Sequence, residues 1–233
     1  MTLEVITPAV ENRLTTLETV QFYLSDIFDP EEQEITDLQI DAASRFIENY
    51  THRKFGLETV KERLPSPLSL HNRGGMRLVL ERVPVVAMTV VTLGVDGADL
   101  TLTETTKDLF IEDPEAGFIW RRSGFNSTAI AGGLLVRRPT RFAHPDWYIT
   151  YQYGYKLPGE TGRDLPEDIE LAAILTVKEL RLTKDREANV SSESVGDASV
   201  TYATNIPGTS ILLTREAREL LDPYRLTSTG LPT

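Results

Sequence analysis

The chain has 233 residues, of which 40% are hydrophobic and 25% are charged, a composition typical of an ordinary globular protein. It contains no cysteine, which excludes disulfides, thiolate metal sites and cysteine nucleophiles, and no apolar run approaches the roughly 18 residues of a membrane span. The formal net charge of −11 argues against a surface built to hold nucleic acid, although the same charge also serves solubility alone.

Residues 1–14 show no helical period and contain Pro8, so we expect an extended N-terminal arm. Thr15, with Glu18 three residues later, matches the reciprocal capping pattern and predicts the start of a short helix. The apolar contacts of this helix are predicted to be Leu17, Val20, Phe22 and Leu24.

A second helix is predicted to follow Asp29, an acidic cap with Pro30 at the first helical position. Its apolar side chains recur at helical spacing: Ile35, Leu38, Ala42, Ala43, Phe46, Ile47 and Tyr50. The cations His52, Arg53 and Lys54 are expected in its last turn, and Gly56 is expected to terminate it.

From Thr59 to Tyr155, short runs rich in β-branched and aromatic residues alternate with turn residues and predict an antiparallel β module. The runs are Met76–Leu80, Ala87–Val95, Asp108–Glu112, Phe118–Arg122 and Trp147–Tyr155, with turns predicted at 96–97 and 113–117. In the last run, aromatic or apolar residues occupy every second position, so we expect that face to be buried.

The stretch Leu165–Arg186 predicts the central helix, because Pro166 suits its first turn and acidic residues follow. A step of about 100° per residue sorts its apolar side chains into two nearly opposite stripes. The first contains Ile169, Ala172, Ala173, Thr176, Val177 and Leu180; the second contains Leu171, Leu175 and Leu182, with Ile174 at its edge. A surface helix of a monomer needs one stripe, so the second predicts another partner, either the β region or another copy of the protein.

Residues Asn189–Gly208 are rich in Ser, Gly, Asp and Thr, which predicts a long mobile segment or a strand completed by a partner. Thr214 is predicted to cap a last helix that ends at Pro223. Its inward-facing side chains are predicted to be Ala217, Leu220 and Leu221.

Together these segments predict an α+β fold, in which a small helical bundle core carries an inserted antiparallel β module and extended arms. The predicted division is an N-terminal arm (1–14), the first part of the helical core (15–58), the inserted β module (59–158), the second part of the core (159–226) with a long loop (187–213), and a C-terminal tail (227–233).

Few residues indicate reaction chemistry. His52, His71 and His144 are isolated and lack the spacing of a metal site, and the loop at 71–75 lacks the spacing of a phosphate-binding loop. The basic clusters are Arg121-Arg122 and Arg137-Arg138 with Arg141, which we interpret as solvated strand faces, with a contact to a nucleic-acid backbone as the other possibility. We therefore expect no enzyme, no cofactor and no metal.

Several passages, taken in order, resemble one family. They are ITDLQIDAASRFIENYTHRKF, LVLERVPVVAMTVVTL, WYITYQYGY, LPEDIELAAILTVKEL and LLDPYR. This order is similar to that of the head–tail connector (adaptor) proteins of long-tailed bacteriophages, in particular the longer members with a β-rich insertion. The resemblance covers roughly Leu17 to Arg225, and residues 187–213 are longer than in compact members.

The resemblance implies a structural virion protein, assembled in the host bacterial cytoplasm and placed in the virion neck. It implies a homo-oligomeric ring, usually of twelve copies, that lies beneath the portal protein, extends the DNA channel and docks the next neck or tail-completion protein. DNA is then expected to pass through without specific binding, and no membrane is involved.

Two sets of residues follow as hypotheses for contacts. The chain end is expected to reach the portal through Tyr224, Arg225 and Leu226, which follow the last helix. The subunit interface is expected to contain Leu171, Leu175, Leu182, Val195, Val200 and Tyr202.

Two alternatives stay open. One is a carbohydrate- or protein-binding β module on a helical base, with the aromatic run Trp147–Tyr155 as its site. The other is a hydrolase that uses a carboxylate pair such as Glu112 and Asp113, although adjacent strand residues point to opposite faces.

Overall fold

The computed structural model describes residues 2–65, 77–95, 98–102, 109–121, 146–184, 192–195, 198–201 and 213–226. The helices are α1 (Leu17–Leu24), α2 (Pro30–Thr51), α3 (Glu167–Lys184) and α4 (Arg215–Leu221), and a 3-10 turn follows at Asp222–Tyr224. The strands are β1 (Thr2–Thr7), β2 (Glu58–Pro65), β3 (Arg77–Val79), β4 (Val85–Val95), β5 (Ala98–Leu102), β6 (Leu109–Asp113), β7 (Phe118–Arg121), β8 (Asp146–Tyr153), β9 (Ser192–Val195) and β10 (Ala198–Thr201). Helices and antiparallel sheets therefore confirm the predicted α+β class.

The chain divides into two compact units. The described residues of the first, here called the β unit, lie within Met1–Glu11 and Lys54–Lys156. Those of the second, the helical unit, lie within Asn12–Arg53 and Leu157–Leu226. Each unit is thus built from segments that are distant in sequence.

The main sheet of the β unit has the strand order β1-β2-β8-β4-β5, and its strand pairs are all antiparallel. β8 is the central strand, with β2 and β4 on either side. Its alternate side chains Trp147, Ile149, Tyr151 and Tyr153 are fully buried or nearly so, while Tyr148, Thr150 and Gln152 are half-buried. The predicted burial of the aromatic face is confirmed for these four residues; Tyr155, which follows the strand, is half-buried.

Part of the stretch predicted as an N-terminal arm is an edge strand. β1 pairs with β2, with Leu3 opposite Glu62 and Val5 opposite Val60. The backbone of this stretch is extended, as expected, and the pairing with β2 holds its first residues against the sheet.

A second sheet has the order β3-β7-β6, and its β6–β7 hairpin turns within the predicted 113–117 segment. Asp113 Oδ1 accepts a hydrogen bond from the Ala116 amide at 3.1 Å, which fixes the turn. Gly117 has a φ of +68°, a left-handed conformation that glycine adopts without steric cost. In the main sheet, Val95 pairs with Ala98, as a hairpin across residues 96–97 requires.

Gly154 allows two backbone segments of the β unit to meet. Its φ is +95°, and a Cβ at this position would lie 2.3 Å from the carbonyl oxygen of Gly56. The Tyr155 amide donates to the Phe55 carbonyl at 2.7 Å beside it. The Tyr-Gly-Tyr passage at 153–155 therefore needs its glycine for backbone packing.

A buried polar cluster lies between β2 and β8. Glu62 is fully buried, and its Oε2 accepts hydrogen bonds from the Tyr151 hydroxyl at 2.7 Å and the Glu81 amide at 3.0 Å. Burial raises the pKa of Glu62, an effect that these two hydrogen bonds partly oppose. Burial and the neighbouring Glu62 carboxylate also raise the pKa of Tyr151, so this phenol stays protonated.

The helix caps are mostly as predicted, with two corrections. α2 begins with the full capping box, because Asp29 accepts from the Glu32 amide and Glu32 accepts from the Asp29 amide. The cap of α1 is Thr16, which accepts from the Thr19 amide at 3.3 Å; the prediction of Thr15 was wrong by one residue, and Thr15 is buried. α2 ends at Thr51, with His52 in the left-handed conformation; Gly56 lies further on, in a bridge to Tyr155.

α1, α2 and α3 share one apolar core in the helical unit. It is formed by Val20, Phe28, Ile40, Ala43, Ile174 and Val177, with Leu17, Leu24 and Leu180 packed at its margin. Arg181 closes one end of this core: its guanidinium lies 4.0 Å from the Phe28 ring centroid and donates to Thr36 Oγ1 at 2.8 Å. Asp26 and Glu32 lie within ion-pair distance of the same group, at 3.6 and 3.9 Å.

α4 packs against α3 in the same unit, and its cap is Thr214, as predicted, which accepts from the Ala217 amide at 3.1 Å. Ala217 and Leu221 are buried and Leu220 is half-buried. The 3-10 turn that contains Pro223 ends the helix.

Candidate oligomer interface on the helical unit

The two stripes predicted for α3 have different environments. Every residue of the first stripe is fully buried except Leu180, which is half-buried. In the second, Leu171 and Leu175 are half-buried and Leu182 is 47% exposed. Ile174, at its edge, is buried in the core shared with α1 and α2. We call Leu171, Leu175 and Leu182 the α3 outer stripe.

α2 also carries two stripes, and the sequence interpretation combined residues from both. The side chains that the fold buries are Thr36, Ile40, Ala43, Ser44, Ile47, Glu48 and Thr51. Of the predicted apolar positions, only Ala43 and Ile47 belong to this face. Ile35, Ala42 and Phe46 are half-buried and Leu38 is 66% exposed. We call these four residues the α2 outer stripe.

The end of α1 exposes two large apolar side chains. Phe22 is 88% exposed, and Ile27, in the loop to α2, is 93% exposed. Phe22 was predicted to pack, but it lies opposite Val20, which is the buried residue of α1. Both exposed residues line a shallow concavity of about 370 Å³ together with Gln21, Ser25 and Asp26. Because the exposure of large apolar side chains to water is unfavourable, two such residues side by side indicate a contact surface.

The three residues predicted to reach the portal lie together at the end of α2. The Arg225 guanidinium lies 5.2 Å from the Tyr50 ring centroid, and the Leu226 amide donates to the Thr51 carbonyl at 2.9 Å. Tyr50 donates to Asp222 Oδ1 at 2.6 Å; partial burial and this carboxylate raise the Tyr50 pKa. Arg225 is exposed, while Tyr224 and Leu226 are half-buried. Arg225 and Leu226 are therefore held at the end of α2.

Two of the remaining predicted interface residues, Val195 and Val200, lie in β9 and β10. β9 and β10 pair antiparallel, with Val195 opposite Ala198 and Val200 opposite Glu193. Tyr202 lies outside the described residues. In the part of the chain that the structure describes, this hairpin pairs with no third strand.

Where the structure describes them, the residues considered for catalysis or anion binding make contacts that stabilise the fold. Glu112 forms an ion pair with Arg77, and Asp113 holds the β6–β7 turn. Arg121 is buried, with its guanidinium 5.4 Å from the Trp147 ring centroid, so its interpretation as part of a solvated basic face was wrong. His71, His144, the 71–75 loop and the other basic residues, Arg122, Arg137, Arg138 and Arg141, lie outside the described residues.

The described residues contain neither a metal-binding cluster nor a membrane-spanning helix. Within the described ranges, His, Asp and Glu side chains form no group of three suited to a metal ion. Over the same ranges, no helix combines the length and apolar character that crossing a membrane requires. The aromatic face proposed as a binding site in the carbohydrate- or protein-binding alternative is largely buried within this chain.

Sequence reasoning missed the outer surfaces of α1 and α2. Ile35, Leu38, Ala42 and Phe46 recur at helical spacing, but so do Ile40, Ala43 and Ile47, and the two sets lie on different faces of α2. A separate projection of α2, of the kind that divided α3 into two stripes, would have separated them. For Phe22, the signal was its position opposite Leu17, Val20 and Leu24 on a short helix.

No protein-family model matches this chain, and no curated protein matches it. Its fold is similar to that of a chain in the neck of an empty GTA particle computed with C6 symmetry. The two chains share 15% sequence identity with a TM-score of 0.55, and the match covers 97% of this chain and 95% of the other. A chain in the virion of a native gene transfer agent (GTA) particle matches with 16% identity, a TM-score of 0.53 and the same coverage.

A third similar chain is found in the neck of a native GTA particle computed with C12 symmetry, with 15% identity, a TM-score of 0.53 and coverage of 97% of this chain and 95% of that chain. The shared fold thus extends over nearly the whole of each chain. Two of the three structures are particle necks, which is the location that the sequence resemblance implies.

Proposed function

We propose that this chain is a structural component of a virion neck, a head–tail connector that assembles with identical copies into a ring. The fold that it shares with chains of GTA particle necks supports this location. Its residues supply packing and capping more readily than reaction chemistry, which supports a structural role. The site of action is the neck of the particle, after assembly in the host bacterial cytoplasm.

The observation that carries the proposal is the α3 outer stripe. Leu171, Leu175 and Leu182 stay partly exposed although the opposite face of the same helix is buried. A second copy that covers these leucines removes apolar surface from water at roughly 25 cal/mol per Å². In a ring the contact is heterologous, so that each patch meets a different patch on the neighbour until the circle closes.

We propose twelve copies, a number supported by the C12 symmetry of one similar neck structure. At formal charge −11 per chain, the ring carries 12 × −11 = −132. This charge does not favour tight binding of phosphates, so DNA passes through the extended channel without being held. The tail side of the ring docks the next neck or tail-completion protein.

The portal contact is assigned to Tyr224, Arg225 and Leu226. Arg225 is exposed beside Tyr50, and the adjacent backbone is tied to the end of α2, so these side chains are presented from a fixed position. Because Arg225 already packs on the Tyr50 ring, its side chain loses little conformational entropy on binding. Val195, Val200 and Tyr202 are assigned to the contact between copies, where a neighbour can extend the β9–β10 hairpin.

Native mass spectrometry and electron microscopy of the full chain, alone at rising concentration and mixed with the portal protein of the same particle, test the function. We expect twelve-membered rings and their binding to the portal. Leu182→Asp is expected to abolish rings, whereas Arg215→Asp, a substitution at a strongly exposed side chain of α4, is expected to preserve them. A chain that stays monomeric under all these conditions would refute the proposed function.

A further inference from the structure

We infer that the α2 outer stripe of one copy receives the α3 outer stripe of the next, with the two helices antiparallel. This inference rests on the proposed ring and names the two surfaces that form each contact in it. It assigns a role to Ile35, Leu38, Ala42 and Phe46 that neither the core of this chain nor the portal contact explains.

Within one copy, the two outer stripes lie on different sides of the packed helices. The buried face of α2 packs Ile40 and Ala43 in the core that contains Ile174 and Val177 of α3. The α2 outer stripe lies on the other side of α2, since its residues are displaced by about half a helical turn from that face. The two outer stripes therefore cannot cover each other within a copy. Each needs a surface from elsewhere, and a heterologous ring offers both at once.

The two outer stripes match in length and in residue type. The α2 outer stripe runs from Ile35 to Phe46 and the α3 outer stripe from Leu171 to Leu182, an interval of eleven residues in both helices. At 1.5 Å per residue each stripe is about 17 Å long. Both consist of apolar side chains three, four or seven residues apart, a spacing that suits ridges-into-grooves packing.

The charges beside the two stripes favour the antiparallel orientation. Exposed acidic residues flank the first turns of both stripes: Glu31 and Glu34 on α2, and Glu167 and Asp168 on α3. Exposed cations flank the later turns of both: Arg45 on α2 and Lys178 on α3. An antiparallel pair brings each acidic end to the basic end of its partner, whereas a parallel pair brings like charges together.

Cysteine cross-linking tests the pairing, because the natural chain has no thiol that would compete. A double variant with Leu38→Cys and Leu182→Cys places the two thiols at the same end of each antiparallel contact. Under conditions in which the unsubstituted chain forms rings, oxidation or a short bifunctional thiol reagent is expected to give a ladder of covalent multimers up to the full ring. Either single variant is expected to give no covalent multimer, because no thiol faces it.

The matched control is the double variant with Leu38→Cys and Leu171→Cys, whose thiols lie at opposite ends of an antiparallel pair. We expect at least ten-fold less cross-linked product from it at equal time. The positions substituted are partly exposed, so the thermal unfolding midpoint of each variant is expected to stay close to that of the unsubstituted chain.

Several outcomes would overturn the pairing. Covalent dimers from Leu38→Cys alone would show an α2–α2 contact, and a ladder from the Leu171 pair instead would show the parallel orientation. Rings that form normally while neither double variant cross-links would refute the pairing and leave the proposed function intact. If the unsubstituted chain forms no ring with or without portal, the proposed function and the pairing fail together.

Discussion

β8 is the central strand of the main sheet and α2 packs against α1 and α3, yet the apolar side chains of these two elements have different environments. On β8, one face carries Trp147, Ile149, Tyr151 and Tyr153, and the chain covers all four. On α2, one face is buried while the other leaves Leu38 largely exposed. The central strand of the β unit thus completes a core with its own chain, whereas the helical unit keeps apolar surface available for a partner.

The comparison predicts the largest stability change at β8. Trp147→Ala removes a fully buried indole and its contact with Arg121, and we expect a loss of about 3–5 kcal/mol in the free energy of unfolding. Tyr148→Ala, on the other face of the same strand, is expected to cost about 1 kcal/mol, chiefly through its contact with Lys61. Denaturant unfolding measures both, and equal losses would contradict the assigned faces of β8.

Within the helical unit, Arg181 should show the largest effect among the polar groups described above. Arg181→Ala removes the hydrogen bond to Thr36 and the cation–π contact with Phe28, and we expect a loss of about 2 kcal/mol. Lys178→Ala, one turn away and exposed, is the matched control and is expected to change stability by less than about 0.5 kcal/mol. A similar loss in both variants would mean that the positive charge of Arg181 stabilises the unit and that its contacts with Thr36 and Phe28 do not.

The comparison also explains how much of the structure the sequence could predict. On β8 the apolar side chains occur at every second position, and only one face is consistently apolar, so the buried face followed directly from the strand period. On α3, two apolar stripes could be separated because charged residues lie between them. Strand order depends on contacts between distant segments, which local patterns do not encode.

The buried face of α2 was harder to predict because half of it is polar. Thr36, Ser44 and Thr51 each donate to the carbonyl four residues earlier, at 2.7–2.8 Å. A hydroxyl satisfied within its own helix enters a core at little cost, and hydrophobicity alone does not reveal this. The same argument applies to Thr176 on α3, which donates to Ala172 at 2.7 Å. The apolar residues of α2 therefore indicated a mixture of its buried face and its outer stripe.

The buried polar cluster of the β unit makes the stability of the protein depend on pH. Burial raises the pKa of Glu62 in the folded state above its ordinary value of 4.5. Protonation therefore favours the folded state: this contribution is fully present below about pH 4.5 and is lost as pH rises through the raised pKa.

Glu62→Gln removes the titration while its amide oxygen can still accept from Tyr151 and the Glu81 amide. We expect the variant to gain stability relative to the natural chain as pH rises from 4 to 7. Denaturant unfolding at several pH values measures this difference. The charged groups beside Glu62 are Glu81 and Arg82, so Glu81→Gln serves as the control for a general charge effect. The assignment to Glu62 would be contradicted if the difference in free energy of unfolding between Glu62→Gln and the natural chain did not vary with pH.

The smallest expected stability change is at Phe22, near the end of α1. A substitution there separates an effect on folding from an effect on assembly. Phe22→Ser alters a side chain that is already almost fully exposed, so we expect unfolding to change by less than about 0.5 kcal/mol. Val20→Ala, two residues away and fully buried, is expected to cost about 2 kcal/mol. If Phe22 serves a contact between copies or with a partner, Phe22→Ser weakens ring formation or partner binding while the monomer remains stable, as titration by native mass spectrometry would show. A large loss of monomer stability would instead mean that Phe22 packs within its own chain, as Trp147, Ile149, Tyr151 and Tyr153 of β8 do.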